Sequence, residues 1–473
     1  MTDERWGDDT ADLLRQTADY AVDFLASLPD RPVRATATLD QLRDALGFGR
    51  DMPDEGAEPD EIVRDLAKAA EPGLLGSAGP RYFGFVIGGA LPAAVAADWL
   101  ATAWDQDAAF YSLSPSAAVA EDVAAGWLLD LLDLPREASV GFTTGCQMAN
   151  FVGLAAARRS VLLRHGWDVE SDGLQGAPRV RLLVGGERHV TIDVALQLLG
   201  FGSQAIERVP ADDQGRMRVD ALADALAGGD TSAPLVVATQ AGNVNTGASD
   251  DFATIADLVH ACRGWLHVDG AFGLWARTSG RLREQVASVE RADSWATDMH
   301  KWLNVPYDSG FVVVRDTEAH RQAMVLAAAY LATAGGEERD PSAYVPESSR
   351  RARGFAIWAA LRSLGRRGVA ELVERCCDHA RYFAQLLGAE PGVEILNEVV
   401  LNQVLVRFGD DELTREVVRR VQQEGTCWLG GSVWQGRAVM RISVSNWSTT
   451  TTDVEASAAA ILRCYREAPA GDD

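Results

Sequence analysis

Lys301 is one of two lysines in a chain whose lysines and arginines number 44. Arginine can replace lysine for surface charge. Its guanidinium stays protonated at neutral pH and cannot act as an amine nucleophile. The other lysine, Lys68, lies in EIVRDLAKAAEP, an amphipathic helical pattern, and reads as part of a solvated face. Lys301 lies in ADSWATDMHKWLNVPYDSG, which has no helical charge pattern. That leaves Lys301 as the candidate for Schiff-base chemistry, although codon bias with two chance survivors would give the same count.

The weight comes from its company. Asp269 ends the apolar run of GWLHVDGAF. A carboxylate there needs a partner; it can be a cap, a salt bridge, or the counter-ion of a protonated pyridine nitrogen. Asp298, Met299, His300 and Lys301 end the next apolar run. The two clusters could hold opposite edges of one planar ring. In FTTGCQMANF a strand runs through Gly145 into a helix, and backbone N–H groups at a helix start attract anions. Gly145, Cys146 and Gln147 would cradle a phosphate, a turn that is also common as plain structure. His189, in GGERHVTIDVALQLLG, follows a strand and opens a helix, so it reads as a cap or as an imidazole lying flat on a ring. GxGxxG and a Walker lysine are both missing, which counts against dinucleotide and ATP sites.

These clusters imply strands to carry them. SVGFTTG (139–145), RVRLLVG (179–185), APLVVATQAG (233–242), GWLHVDGAF (264–272), SWATD (294–298) and GFVVVRD (310–316) are short apolar runs separated by helical stretches. The alternation predicts an α/β fold with a mostly parallel central sheet and helices on both faces. Ligands then collect beyond the carboxyl ends of the strands. Three parts are expected: an N-terminal helical arm (1–78), a large domain (79–350) and a small C-terminal α+β domain (351–473). A capping box from Thr452 to Glu455 should open the last helix.

The net charge of −24 argues against nucleic acids and anionic membranes as partners. The start, MTDERWGDD, has no leader-like pattern. The uncharged run Tyr82 to Ala97 is broken by Gly84, Gly88, Gly89 and Pro92, so no membrane span is expected. The six cysteines show neither CxxC nor metal spacing; no metal site is expected, and the setting reads as reducing and cytoplasmic.

The motif order TTGCQMAN, ERHVTIDVA, AGNVNTGA, HVDGAFG, HKW resembles that of the group II pyridoxal-phosphate (PLP) dependent decarboxylases. These belong to the fold-type I, aspartate aminotransferase-like superfamily. The resemblance runs from about PRYFGFVIGG into the C-terminal domain. It implies PLP held on Lys301, with Asp269 on the pyridine nitrogen, His189 on one ring face and Ala271 on the other. Gly145, Cys146, Gln147 and His300 would lie near the phosphate. Phe83, Phe85 and Tyr111 match a substrate-facing region, and Arg353 and Trp358 match the start of the small domain. The implied reaction is decarboxylation of an L-amino acid, aromatic by preference, in a homodimer. Another PLP reaction on an amino acid (aldehyde synthase, aldolase or transaminase) is the alternative. Three departures stand out. Asp298-Met299 replaces Asn-Pro, and Asn243-Val244 replaces Thr-Thr. The stretch that carries a proton-donating tyrosine in aromatic-acid members is short here, TAGGEERDPSAYVPESSRR, with Tyr344 as its tyrosine.

Overall fold

The structure is a computed structural model that describes residues 8–325 and 338–469. Seven strands form its large sheet: β1 (Ser139–Thr143), β2 (Arg181–Gly185), β3 (Ile206–Val209), β4 (Leu235–Gln240), β5 (Trp265–Asp269), β6 (Ser294–Asp298) and β7 (Gly310–Val314). Their order is β1-β7-β6-β5-β4-β2-β3, and β7 runs antiparallel to both its neighbours. The other pairings are parallel. Alternate residues feed two cores. Leu183, Val237, Leu266 and Val268 join one, while Leu182, Val184, Val236 and Ala238 join the other. Both faces are therefore covered, as the near-continuous apolar strands require.

Six strands fall where the sequence predicts them. The seventh, β3, is a four-residue edge strand of sequence IERV with only Val209 buried, too short and polar to stand out as an apolar run.

The helix Cys146–Leu163 lies against the sheet, and its Gly153 makes room for His267: a Cβ there would sit 2.8 Å from His267 Cε1. His267 Nε2 donates to Asn150 Oδ1 (2.9 Å), and its Nδ1 accepts from Ser294 Oγ (2.8 Å). Burial pushes the His267 pKa down to about 3. His320, wedged between Ser139 Oγ and the Tyr344 carbonyl, is pushed down to about 3 in the same way. The unfolded chain protonates these imidazoles near the ordinary value of about 6.5. Each therefore contributes stability that is present above that pH and lost as pH falls towards 3. Urea unfolding between pH 6 and 4 should lose stability more steeply in the wild type than in His267→Asn, by about one proton's worth of slope. Equal slopes would refute this account.

The long helix Gly354–Gly388 leads to a second, antiparallel sheet of β8 (Val393–Ile395), β9 (Gln403–Phe408), β10 (Gly430–Trp434) and β11 (Arg437–Ser443), in the order β10-β11-β9-β8. The last helix, Thr451–Arg466, does open on a capping box, but two residues earlier than expected. Thr450 and Asp453 make it, and a run of four threonines hides that register from the sequence.

Residues 79–91 tie the second sheet to the first. The Phe83 N–H donates to the Trp428 carbonyl (2.7 Å), and the Phe83 carbonyl accepts from Ser443 N (2.9 Å). Further along, Asn304 Oδ1 accepts from Gly89 N (2.6 Å) and Trp447 N (3.0 Å), and its Nδ2 donates to the Trp302 and Ser445 carbonyls. Asn304 adopts φ 55°, a left-handed conformation that asparagine tolerates better than most side chains. Among the described residues no helix is long and apolar enough to cross a membrane.

Candidate active site

The carboxyl edge of the large sheet gathers the chemistry. Because β7 is antiparallel, its first residue, Gly310, pairs with the last residues of both β1 and β6, Thr143 and Asp298. A Cβ on Gly310 would lie 2.4 Å from the Gly145 carbonyl carbon. Glycine at 310 is what lets the Gly145 turn close against the ends of β6 and β7.

The helix Cys146–Leu163 starts at that turn with no side chain of its own as cap. The Cys146 N–H instead donates to Asp298 Oδ1 (2.5 Å). The next two N–H groups, of Gln147 and Met148, have no acceptor among the described residues. Asp298 Oδ2 pairs with Lys301 Nζ at 2.9 Å. His300 Nδ1 accepts from the Ser309 N–H (3.1 Å), so the neutral ring carries its proton on Nε2, 3.3 Å from Asp298 Oδ1. The Tyr307 ring stacks on His300 with centroids 4.3 Å apart.

One strand over, Asp269 Oδ1 accepts from the Ala271 N–H (3.2 Å) and the Cys146 thiol (3.4 Å). Asp269 is 6% exposed, and its Oδ2 has no hydrogen-bond partner among the described residues. Ala271 returns its carbonyl to Asp298 N (3.0 Å), which locks the ends of β5 and β6 together. His189 caps the helix Val190–Leu198, its Nδ1 accepting from Thr191 N (3.4 Å). The charges of Asp269 and Lys301 both act on His189.

Burial sets the proton inventory. It disfavours the Lys301 charge, but Asp298 and Asp269 outweigh it and hold the ammonium pKa above the ordinary lysine value. Burial, with the two carboxylates beside it, raises Cys146 far enough to keep it a thiol. It lowers His189 and His300, so both imidazoles are neutral near pH 7.

Lys301, Asp269, His189, Ala271, Gly145, Cys146 and His300 are thus brought together, and Gln147 follows on the same helix start. Tyr344 is not brought to this cluster within the chain. Its ring lies under the Arg339 guanidinium (4.5 Å) and edge-on to His320 (5.3 Å), behind β1. Tyr330, also in sequence before Tyr344, lies outside the described residues. Phe83 is spent in the core against Phe383, whereas Phe85 is exposed and stacks on Trp428. Asn243 is fully used, donating to the Glu187 carbonyl just beyond β2 and accepting from Asn245 N and Thr246 N of its own loop. Arg441 escaped the sequence reading. On β11, it is near enough for its charge to act on His189, burial lowers its pKa, and it has no ion-pair partner among the described residues. In sequence it is one arginine among many; only the strand pairing of the second sheet reveals its place.

The pyridoxal-dependent decarboxylase conserved domain matches residues 42–408. The chain belongs to the pyridoxal-dependent decarboxylase family. It is 26% identical to an aromatic-L-amino-acid decarboxylase of Bacillus atrophaeus, covering 93% of this chain and 92% of the relative. It is 29% identical to an L-2,4-diaminobutyrate decarboxylase of Rhizobium meliloti, over 79% and 75% of the two chains. The crystal structure of Oryza sativa TDC with PLP and tryptamine superposes with a TM-score of 0.91 at 25% identity, covering 98% of this chain and 99% of that one.

The family cofactor is PLP, and the donor set fits it. A lone buried amine, Lys301, matches an aldehyde. The unpartnered Asp269 Oδ2 matches a protonated ring nitrogen. The free N–H groups of Gln147 and Met148 match a phosphate.

Proposed function

We propose that this family member converts an L-amino acid, aromatic by preference, to its amine and carbon dioxide. The observation that carries the proposal is the meeting of Lys301, Asp269 and His189 at one sheet edge, with the Gly145 turn beside them.

When bound, the cofactor supplies a sink for the electrons left at Cα as carbon dioxide departs. Lys301 would hold it by the amine. Asp269 would keep a proton on its ring nitrogen, and Ala271 and the Cys146 thiol keep Asp269 in place. His189 and Ala271 would take its two faces. Gly145, Gln147 and His300 would hold the phosphate, with Cys146 once its N–H is released by Asp298. Because His189 Nδ1 accepts from Thr191 N, its proton sits on Nε2, the atom from which it can be passed towards Cα. Within the chain Tyr344 is held between Arg339 and His320, so we infer that His189 takes that step.

Arg441, whose charge reaches His189, is our candidate cation for the substrate carboxylate. Arg441→Met should lower kcat/KM by about 10–100-fold through KM, the value of a hydrogen bond to a charged group. An unchanged KM would remove Arg441 from the site.

The aromatic preference rests on the Bacillus atrophaeus relative and on Phe85. Phe85 stacks on Trp428, itself stacked on Tyr82. It stands three residues before Gly88, whose Cβ would strike the Lys301 carbonyl at 2.0 Å. The test is a panel of amino acids with amine, aldehyde, ammonia and carbon dioxide measured together, with and without oxygen. Aldehyde as the main product would overturn the reaction assignment. Turnover of aliphatic substrates alone would overturn the preference.

The working form is proposed to be a homodimer. Trp99, Leu100, Trp104, Leu113, Val119 and Trp358 are exposed apolar side chains, and the arm helices Leu39–Ala45 and Pro59–Ala70 bury no residue within one chain. Such faces mark subunit contacts. Sedimentation of an active monomer would contradict this.

A further inference from the structure

Asp298 occupies an anion site at the start of the helix Cys146–Leu163. Its side chain is 4% exposed. Oδ1 takes the Cys146 N–H at 2.5 Å and faces the proton-bearing Nε2 of His300 at 3.3 Å, while Oδ2 takes Lys301 Nζ at 2.9 Å. A helix start, an imidazole N–H and an ammonium together form an anion-binding set, and the chain fills it with its own carboxylate. The position is fixed from behind. Asp298 N donates to the Ala271 carbonyl, and its own carbonyl accepts from Trp275 Nε1 (3.2 Å). The missing side chain of Gly310 holds the Gly145 turn against it.

We propose that Asp298 is an internal competitor for the cofactor's phosphate, a positioning residue that holds the cofactor-free site together and weakens cofactor capture. The inference rests on the family reading of Lys301 and Asp269. The Cys146 N–H is a single donor, and while it serves Asp298 it cannot serve a phosphate. Two anions at one helix start repel, and burial keeps water from screening them. In the cofactor-free protein the same carboxylate neutralises Lys301, which otherwise would be a buried, unpaired ammonium.

The test is equilibrium titration of the cofactor-free protein with PLP and, separately, with pyridoxal, which has the aldehyde and ring but no phosphate. Wild type is compared with Asp298→Asn, which keeps the shape and drops the charge, and with Asp298→Ser, which keeps a small cap. Both variants should bind PLP about tenfold or more tightly than wild type, the effect of removing one like charge beside an anion at a poorly screened site. Pyridoxal affinity should change by much less. Inorganic phosphate should raise the Tm of the cofactor-free variants and leave that of the wild type unmoved.

Equal gains for PLP and pyridoxal would show that Asp298 acts only through the Lys301 amine, and would overturn the inference. So would unchanged or weaker PLP binding in the variants. A wild type stabilised by inorganic phosphate would overturn it without any variant. A wild type that takes up no PLP at all would instead sink the family reading of Lys301, and this inference with it.

Discussion

Lys301→Ala is expected to remove the visible absorption of the cofactor-loaded protein and all measurable turnover. Lys301 Nζ lies 2.9 Å from Asp298 Oδ2, within the cluster that also holds Asp269, Cys146 and His300. The alternative amine is Lys68, exposed on the helix Pro59–Ala70. No arginine can substitute, because guanidinium does not deprotonate at working pH. Borohydride treatment of the loaded wild type should fix the cofactor on the peptide carrying Lys301, and the same treatment of Lys301→Ala should fix none. Because alanine leaves Asp298 buried without its partner, a folding control is needed. Lys301→Met keeps the stem length, and circular dichroism would show whether the fold survives. Cofactor recovered on Lys68, or a visible band persisting in a folded Lys301→Ala, would displace Lys301 from the chemistry.

Much of this arrangement is legible in the residues. Strands buried on both faces announce themselves as apolar runs, so six of the seven in the large sheet are found where the sequence predicts them. A strand-end polar residue after such a run is conspicuous because burying it costs free energy; Asp269 and Asp298 stand out for that reason. What resists reading is whatever depends on partners far along the chain. β3 is polar because it lies at an edge. The role of Gly310 needs the antiparallel register of β7. Asn304, at the junction of the two sheets, gathers bonds from Gly89, Trp302, Ser445 and Trp447, residues up to 215 positions away. Periodicity carries no record of contacts at that range.

The same holds at single side chains. The resemblance points to Tyr344 as the candidate proton donor, yet within the chain it packs on Arg339 and on His320, one of the two deeply buried histidines. Arg350 sits in an arginine-rich run, SRRARG. In the structure it is buried, pairs with Glu121 at 2.7 Å, and donates to the Ala108 and Phe142 carbonyls. A buried pair of that kind is invisible to composition, because each partner alone looks like an exposed charge.

Asp269→Ala should lower kcat of the cofactor-saturated enzyme by about 10²–10³-fold, the cost of about 3–4 kcal/mol when a preorganised electrostatic partner is lost. One atom of Asp269 decides the outcome. Oδ1 is already committed to the Ala271 N–H and the Cys146 thiol, which fixes the carboxyl plane. That leaves Oδ2 as the acceptor for a ring N–H. Without it a bound ring nitrogen would not keep its proton near neutral pH, and the cofactor would be a weaker sink for the electrons left at Cα. Asp269→Asn separates charge from geometry. It keeps the contact with Ala271 N but cannot stabilise a protonated nitrogen, so it should fall close to the alanine variant in kcat while binding cofactor better. Asp269→Glu keeps the charge and should recover part of the rate. The decisive measurement is single-turnover rate at saturating PLP for all three variants. If Asp269→Asn turns over at the wild-type rate, Asp269 serves only to tie Cys146 and Ala271 to the end of β5.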